Sequence, residues 1–148
     1  MGRGINGSAI AIIELLRSDN NMNDSEQTPE FWENRGCRLC QTEAYEDAIA
    51  AFDRAIALNP NYPPAWNHRG NALSALKRYP QALASYDKAV ALNPQYHQAW
   101  FNRGLLFNDM QAYGNAIESY QRALAIHPDP RYIHAQAGIG LHKKLFTI

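Results

Sequence analysis

The chain repeats one pattern of residues every 34 positions, and this period constrains its fold more than any other feature. Trp32, Trp66 and Trp100 are spaced by 34 residues. Six further positions recur in triplicate at the same interval: Gly36, Gly70, Gly104; Tyr45, Tyr79, Tyr113; Ala48, Ala82, Ala116; Phe52, Tyr86, Tyr120; Ala55, Ala89, Ala123; Pro60, Pro94, Pro128. A period of about 20 to 50 residues is typical of stacked units that bury their apolar faces against one another. The pattern therefore predicts a surface for a partner rather than a catalytic pocket.

Each unit contains two helical patterns. In the first unit they run from Glu30 to about Gln41 and from Glu46 to Leu58, and the second carries an apolar stripe at spacings of three and four. A residue before proline is pushed out of the α region, so the dipeptides at 59–60, 93–94 and 127–128 are expected to end the second helices. Where two helices cross closely, a Gly or Ala lets the backbones approach while a large ring fills the gap. We therefore expect contacts of Gly36, Gly70 and Gly104 with Ala48, Ala82 and Ala116.

These repeated positions resemble the tetratricopeptide repeat (TPR) family. The resemblance implies an all-α fold, a right-handed superhelical solenoid of three helix-turn-helix repeats plus a C-terminal capping helix. The predicted segments are an N-terminal extension with a short apolar helix and a flexible linker (1–28), the repeats (29–62, 63–96 and 97–130), and the capping helix as a partial fourth repeat (131–148).

The resemblance also implies that the first helices line a concave groove that binds a peptide or a helix of another protein. The groove residues expected from the family's geometry are Glu33, Asn67, His68, Asn71, Gln98, Phe101, Asn102 and Leu105. Amide side chains both donate and accept, and can therefore hold the backbone of an extended ligand, while Phe101 and Leu105 supply apolar anchors. Alternatively, these amides only solvate the helices.

Chaperone-adaptor members of the family hold a terminal carboxylate with Lys, Arg and Asn side chains. The matching positions here are Glu33, Cys37, His68, Gln98 and Asn102. None of these five residues is Lys or Arg, and Asn102 offers an amide in place of a cation. That class of ligand is therefore not expected.

Two departures from the family pattern carry predictions. The family often has Leu at the position held here by Arg35, Arg69 and Arg103. If the units stack as in the family, Asp53 and Asp87 each face the arginine of the next unit. We predict the ion pairs Asp53 with Arg69 and Asp87 with Arg103; alternatively, the arginines point into the groove and bind an acidic ligand. The turns between paired helices carry Glu43, Lys77 and Gln111 instead of Gly. A left-handed conformation costs such residues about 1 kcal/mol, so we expect these turns to end differently.

The two cysteines, Cys37 and Cys40, have the CxxC spacing of redox and zinc sites. One such pair supplies two ligands only, and both lie in the middle of a predicted helix rather than at its N-terminus. We predict small groove-lining residues with weakly reactive thiols, no metal and no cofactor. The alternative is a zinc site of four thiolates, two from each of two chains. Without a phosphate-binding loop or a catalytic triad, we expect no enzyme.

Charge and hydropathy bound the partners. The chain carries 14 basic and 14 acidic residues, and this balance argues against nucleic acid or an anionic membrane as a partner. The apolar stretch from Ala9 to Leu16 is too short to span a bilayer, so a soluble cytoplasmic protein is expected. The preferred function is a non-catalytic protein-interaction module. The alternative is a self-assembling unit, a homo-oligomer that packs through terminal segments such as the apolar Leu145, Phe146 and Ile148.

Overall fold

A computed structural model describes residues 27–145 as helices joined by short turns, with no strand in that range. The helices pair along the chain as α1 and α2, α3 and α4, and α5 and α6, followed by a final α7. Their bounds are α1 Pro29–Gln41, α2 Tyr45–Leu58, α3 Pro63–Ala75, α4 Tyr79–Leu92, α5 His97–Asp109, α6 Tyr113–Ile126 and α7 Pro130–Leu145. The all-α repeat fold is thus confirmed. The predicted helix at Ala9–Leu16, the linker after it, and Phe146 and Ile148 lie outside the described residues.

The helix ends follow from local sequence. Thr28 caps α1, since its Oγ1 accepts a hydrogen bond from the backbone N–H of Phe31 at 3.2 Å. Pro63 and Pro130 begin α3 and α7, where the missing N–H of proline costs no helical hydrogen bond. Asn59, which precedes a proline, is extended at the end of α2.

The turns inside the repeats do not differ in the way we expected. Glu43, Lys77 and Gln111 all adopt the left-handed conformation, with φ of 59°, 58° and 59°. In the first turn the N–H of Ala44 donates to the carbonyl of Leu39, and the N–H of Glu43 to that of Cys40, both at 3.0 Å. These bonds satisfy carbonyls that the helix end would leave unpaired, which offsets the cost of the strained residue.

Each helix pair packs through a glycine on the first helix and a ring on the second. A Cβ placed on Gly70 would lie 2.6 Å from the ring of Tyr86, and Gly36 and Gly104 face Phe52 and Tyr120 in the same way. The rings are nearly inaccessible to solvent. A large ring therefore fills the gap between the paired helices in all three units, as expected, and it lies directly against the glycine.

The units stack in order, each second helix packing on the next first helix, and α7 packs on α6. The first helices also meet one another, as α1 with α3, α3 with α5 and α5 with α7. Within residues 27–145 the second helices have no comparable contact with each other. The stack therefore curves around its first helices, and we call the surface of α1, α3, α5 and α7 the first-helix wall. No helix in this range is long and apolar enough to cross a membrane.

Candidate functional site

A cavity of about 290 Å³ opens on the first-helix wall between α3, α5 and α7. Its lining includes five of the predicted groove residues besides Asn67: His68, Asn71, Gln98, Phe101 and Asn102. A neighbouring cavity of about 210 Å³ is lined by Leu105 and again by Asn71 and Asn102. The structure thus brings together on one surface all the predicted groove residues except Glu33.

Asn67 does not present a free amide to this cavity, contrary to our expectation. It is only 2% exposed. Its Oδ1 accepts from Asn102 Nδ2 at 3.0 Å, and its Nδ2 lies 3.4 Å from the hydroxyl of Tyr96. A buried amide needs such partners, and here one of them, Asn102, comes from the next repeat. Asn67 therefore joins the second and third units.

Glu33 was expected to be an open groove residue, but its side chain is only 9% exposed and bonds to other residues of the protein. Its Oε1 lies 2.6 Å from His68 Nδ1, and it accepts a hydrogen bond from Cys37 Sγ at 3.2 Å. The bond from His68 holds the pKa of Glu33 below its usual value, although burial opposes this. The carboxylate is therefore ionised and shared between α1 and α3.

The exposed amides are Asn71 and Gln98. Asn71 Oδ1 accepts from the hydroxyl of Tyr86 at 2.6 Å, which fixes the orientation of the amide. Phe101 is half-buried and stacks on Tyr132 with 4.3 Å between ring centroids. Leu105 is 39% exposed. The wall therefore offers oriented polar groups beside apolar surface.

Sequence reasoning missed two residues that line the cavity: Tyr96, which immediately precedes α5, and Arg131, in the first turn of α7. It also missed the pairing of Glu33 with His68. A signal for such contacts does exist. Glu33 and His68 are 35 residues apart, as are Asn67 and Asn102. In both pairs, residues that contact each other across neighbouring first helices are separated by one position more than the repeat period.

The surroundings of the two cysteines affect their reactivity. Both lie inside α1 with no disulfide between them. Burial raises the pKa of both thiols, that of Cys37 to about 12 with a further contribution from Glu33. A thiol with a raised pKa carries little of the nucleophilic thiolate at neutral pH.

The arginines lie at the unit boundaries. Arg69 Nε donates to Asp53 Oδ1 at 2.7 Å, and Arg69 Nη1 donates to Ser85 Oγ at 2.9 Å. Arg103 makes the equivalent contacts with Asp87 at 2.7 Å and with Ser119 at 2.9 Å. Both guanidinium groups are thus directed at second helices rather than at the wall.

A larger cavity of about 560 Å³ lies elsewhere, on the front of the first unit. It is lined by α1 and α2 and includes Arg35, which occupies the repeat position of Arg69 and Arg103. It therefore lies on the face that corresponds to the unit boundaries of the second and third repeats, not on the first-helix wall.

Helix pairs in a curved stack, with amides and rings on the inner wall, define a helical-repeat protein of the interaction type. The tetratricopeptide repeat family model matches residues 33–96 and 68–129, and the chain belongs to that family. No curated protein sequence shows significant similarity to it. As a member of this family, the chain is a protein-interaction module.

Solved structures agree with the fold. The first TPR of Spaghetti (RPAP3), bound to the HSP90 peptide SRMEEVD, is 23% identical with a TM-score of 0.76, over 80% of this chain and 95% of that one. The Arabidopsis OM64 TPR domain is 20% identical, with a TM-score of 0.75 over 80% and 98%. MamA residues 41 to the end from Desulfovibrio magneticus RS-1 is 26% identical, with a TM-score of 0.71 over 80% and 68%.

Proposed function

We propose that this chain is a non-catalytic module that binds an extended peptide, or a helix of another protein, on the first-helix wall. The observation that carries the proposal is the 290 Å³ cavity, where three first helices contribute amides and rings. The ligand contacts are His68, Asn71, Gln98, Phe101, Asn102 and Leu105. Glu33 and Asn67 support the wall from within.

The polar groups suit a peptide backbone. Gln98 is exposed and offers both a donor and an acceptor. Asn71 Oδ1 already accepts a hydrogen bond from the Tyr86 hydroxyl. The Nδ2 group of Asn71 is therefore the one that would donate to a ligand carbonyl. Backbone recognition of this kind tolerates many side chains, and specificity then comes from the apolar part of the site.

Leu105 and Phe101 are the apolar anchors. Leu105 is 39% exposed and lies beside Asn71 and Asn102 in the second cavity. Phe101 is held by its stacking on Tyr132, so little side-chain entropy is lost when a ligand packs on it. A ligand with one or two apolar side chains next to an extended backbone fits this surface.

We infer that an acidic C-terminal peptide is not the ligand. The relative from Spaghetti is bound to SRMEEVD. Here the ionised Glu33 stands at one of the positions matching the carboxylate grip, and Cys37, His68 and Gln98 bring no permanent cation. Synthetic SRMEEVD is therefore expected not to bind in a fluorescence-anisotropy titration, and micromolar affinity would contradict this inference.

The proposal is tested with peptides selected from a random 12-residue display library against the full chain. For a selected peptide, Gln98→Ala and Leu105→Ala should each weaken binding about three- to thirtyfold, about 0.7 to 2 kcal/mol. Gln121→Ala on α6 and Leu58→Ala on α2 are the matched controls, since they remove an exposed amide and an exposed leucine from second helices.

All four variants change exposed side chains and should melt at nearly the wild-type temperature. Peptides whose affinity falls with the two wall variants and not with the controls support the proposal. If the wall variants bind as tightly as the wild type, or if only the controls weaken binding, the wall is not the binding surface.

A further inference from the structure

Three side chains of metal-ligand type converge beneath the wall, on the boundary between the first two units. Glu33 and Cys37 are four residues apart on α1 and so share one face of that helix. His68 reaches them from α3. Their ligand atoms all lie within 4.8 Å of one another, and Cys40 is not part of the cluster.

The spacing is close to that of a zinc site. Tetrahedral Zn²⁺, with bonds of about 2.0 to 2.3 Å to nitrogen, oxygen and sulfur, separates its ligand atoms by about 3.3 to 3.6 Å. Cys37 Sγ lies 3.5 Å from His68 Nδ1 and 3.2 Å from Glu33 Oε1. Glu33 Oε1 and His68 Nδ1 are 2.6 Å apart, a hydrogen-bond distance. Those two atoms must separate by less than about 1 Å, which rotation of the partly exposed imidazole allows.

The electrostatics of the cluster also favour a cation. Glu33 is an ionised carboxylate at 9% exposure, and a buried charge requires a partner of opposite sign. Within the described residues the group that supplies it is His68, and only when the imidazole is protonated. A divalent ion at the centre would neutralise the carboxylate and a Cys37 thiolate together.

We propose that Glu33, Cys37 and His68 form a three-ligand Zn²⁺ site that joins the first two repeats. His68 also lines the 290 Å³ cavity, so the fourth coordination position faces the first-helix wall and takes a water molecule. Binding replaces the thiol proton of Cys37 with the metal and releases that proton to solvent. The proton that His68 Nδ1 shares with Glu33 must leave as well, to Nε2 if the imidazole is neutral or to solvent if it is protonated, and no oxidation state changes. His68 belongs to both proposed sites, but the metal measurements below need no peptide, so either proposal can fail without the other.

The test is a titration of the reduced full chain with Co²⁺, followed by displacement with Zn²⁺. The wild type should bind one equivalent and show both tetrahedral d–d absorption and the near-ultraviolet charge-transfer band of a cobalt–thiolate bond. Cys37→Ser should lose the charge-transfer band, whereas the matched variant Cys40→Ser should keep it. Loss of even an outer-shell partner costs about 10 to 100-fold in metal affinity, so Cys37→Ser and His68→Gln should each weaken Zn²⁺ binding at least tenfold.

Circular dichroism of each metal-free variant shows whether it is folded. A second readout is the melting temperature, which Zn²⁺ should raise in the wild type and in Cys40→Ser but not in Cys37→Ser. The proposal is overturned if the wild type shows no thiolate band at millimolar Co²⁺. It is equally overturned if Cys37→Ser keeps the band while Cys40→Ser loses it.

Discussion

Arg103 Nε lies 2.7 Å from Asp87 Oδ1 and joins α5 to α4 across the boundary between the second and third units. The same guanidinium bonds Ser119 and lies 4.8 Å from the ring centroid of Phe107. One side chain thus contacts a second helix of its own unit and one of the preceding unit.

We expect Arg103→Ala to destabilise the fold by about 1 to 2 kcal/mol, because it removes packing and a hydrogen bond as well as charge. Asp87→Ala should cost less than about 1 kcal/mol, since the pair is partly exposed. Urea unfolding measures both. Arg35→Ala is the control, because Ala51 takes the repeat position of Ser85 and Ser119 in the first unit. Equal losses for Arg35→Ala and Arg103→Ala would show that the boundary contacts contribute nothing.

Gly70→Ala should destabilise the chain by about 1 to 3 kcal/mol through overpacking, despite the better helix propensity of alanine. The added Cβ would lie 2.6 Å from the buried ring of Tyr86. Gly138→Ala in α7 is the matched variant, because among the described residues no atom outside the local helix backbone lies within 4 Å of a Cβ added there. It should be neutral or stabilising by up to about 1 kcal/mol. Thermal unfolding of both variants tests the sign, and a stabilised Gly70→Ala would refute the close-packing account.

Gln111→Gly should stabilise the protein by about 0.5 to 1 kcal/mol, because φ at this residue is 59° and glycine adopts that conformation without a Cβ clash. The same change at Gln121, exposed within α6, should destabilise by a similar amount, since glycine is unfavourable inside a helix. Denaturant midpoints of the two variants should therefore move in opposite directions. A shift in the same direction would contradict the prediction.

The start of α7 should make stability depend on acid pH. Hydrogen bonds from the side chain and backbone of Arg131 lower the pKa of Asp129 from 3.8 to about 2. A carboxyl whose pKa is lower in the folded state stabilises the fold above its unfolded pKa, and this contribution disappears as pH falls through the folded value.

The stability difference between the wild type and Asp129→Asn should therefore be constant above about pH 5 and shrink steadily between about pH 4 and 2. Asparagine keeps an oxygen that can accept from the N–H of Arg131, so the variant chiefly removes the charge. Urea unfolding across this pH range provides the measurement. A difference that does not change with pH would mean that Asp129 is not ionised against Arg131.

The sequence predicts the helices, and the packing within each helix pair, well. The residues responsible for both recur in every unit. The contact of Gly70 with Tyr86 belongs to one helix pair, and the repeat shows it three times. The wall is different. Asn67 and Asn71 lie one turn apart on α3, yet Asn67 is 2% exposed and Asn71 is open to solvent. Which of them is covered depends on how α5 crosses α3, and the periodicity of one helix contains no information about that crossing.

The backbone conformation of the turns could not be predicted from residue type alone. Residues 43, 77 and 111 are unfavourable for a left-handed turn, and the backbone adopts it nonetheless because two hydrogen bonds close each helix end. The left-handed conformation costs these residues only about 1 kcal/mol, and the packing of the repeats overrides this cost.

The hydrogen bond from Asn102 Nδ2 to Asn67 Oδ1 would couple the proposed binding surface to the boundary between the second and third repeats. An incoming carbonyl that captures the Asn102 nitrogen withdraws it from the seam between repeats, and the amide oxygen left behind must find another donor. Binding of a ligand on the wall would then change the curvature of the solenoid, and this change would be detectable at a distance from the ligand.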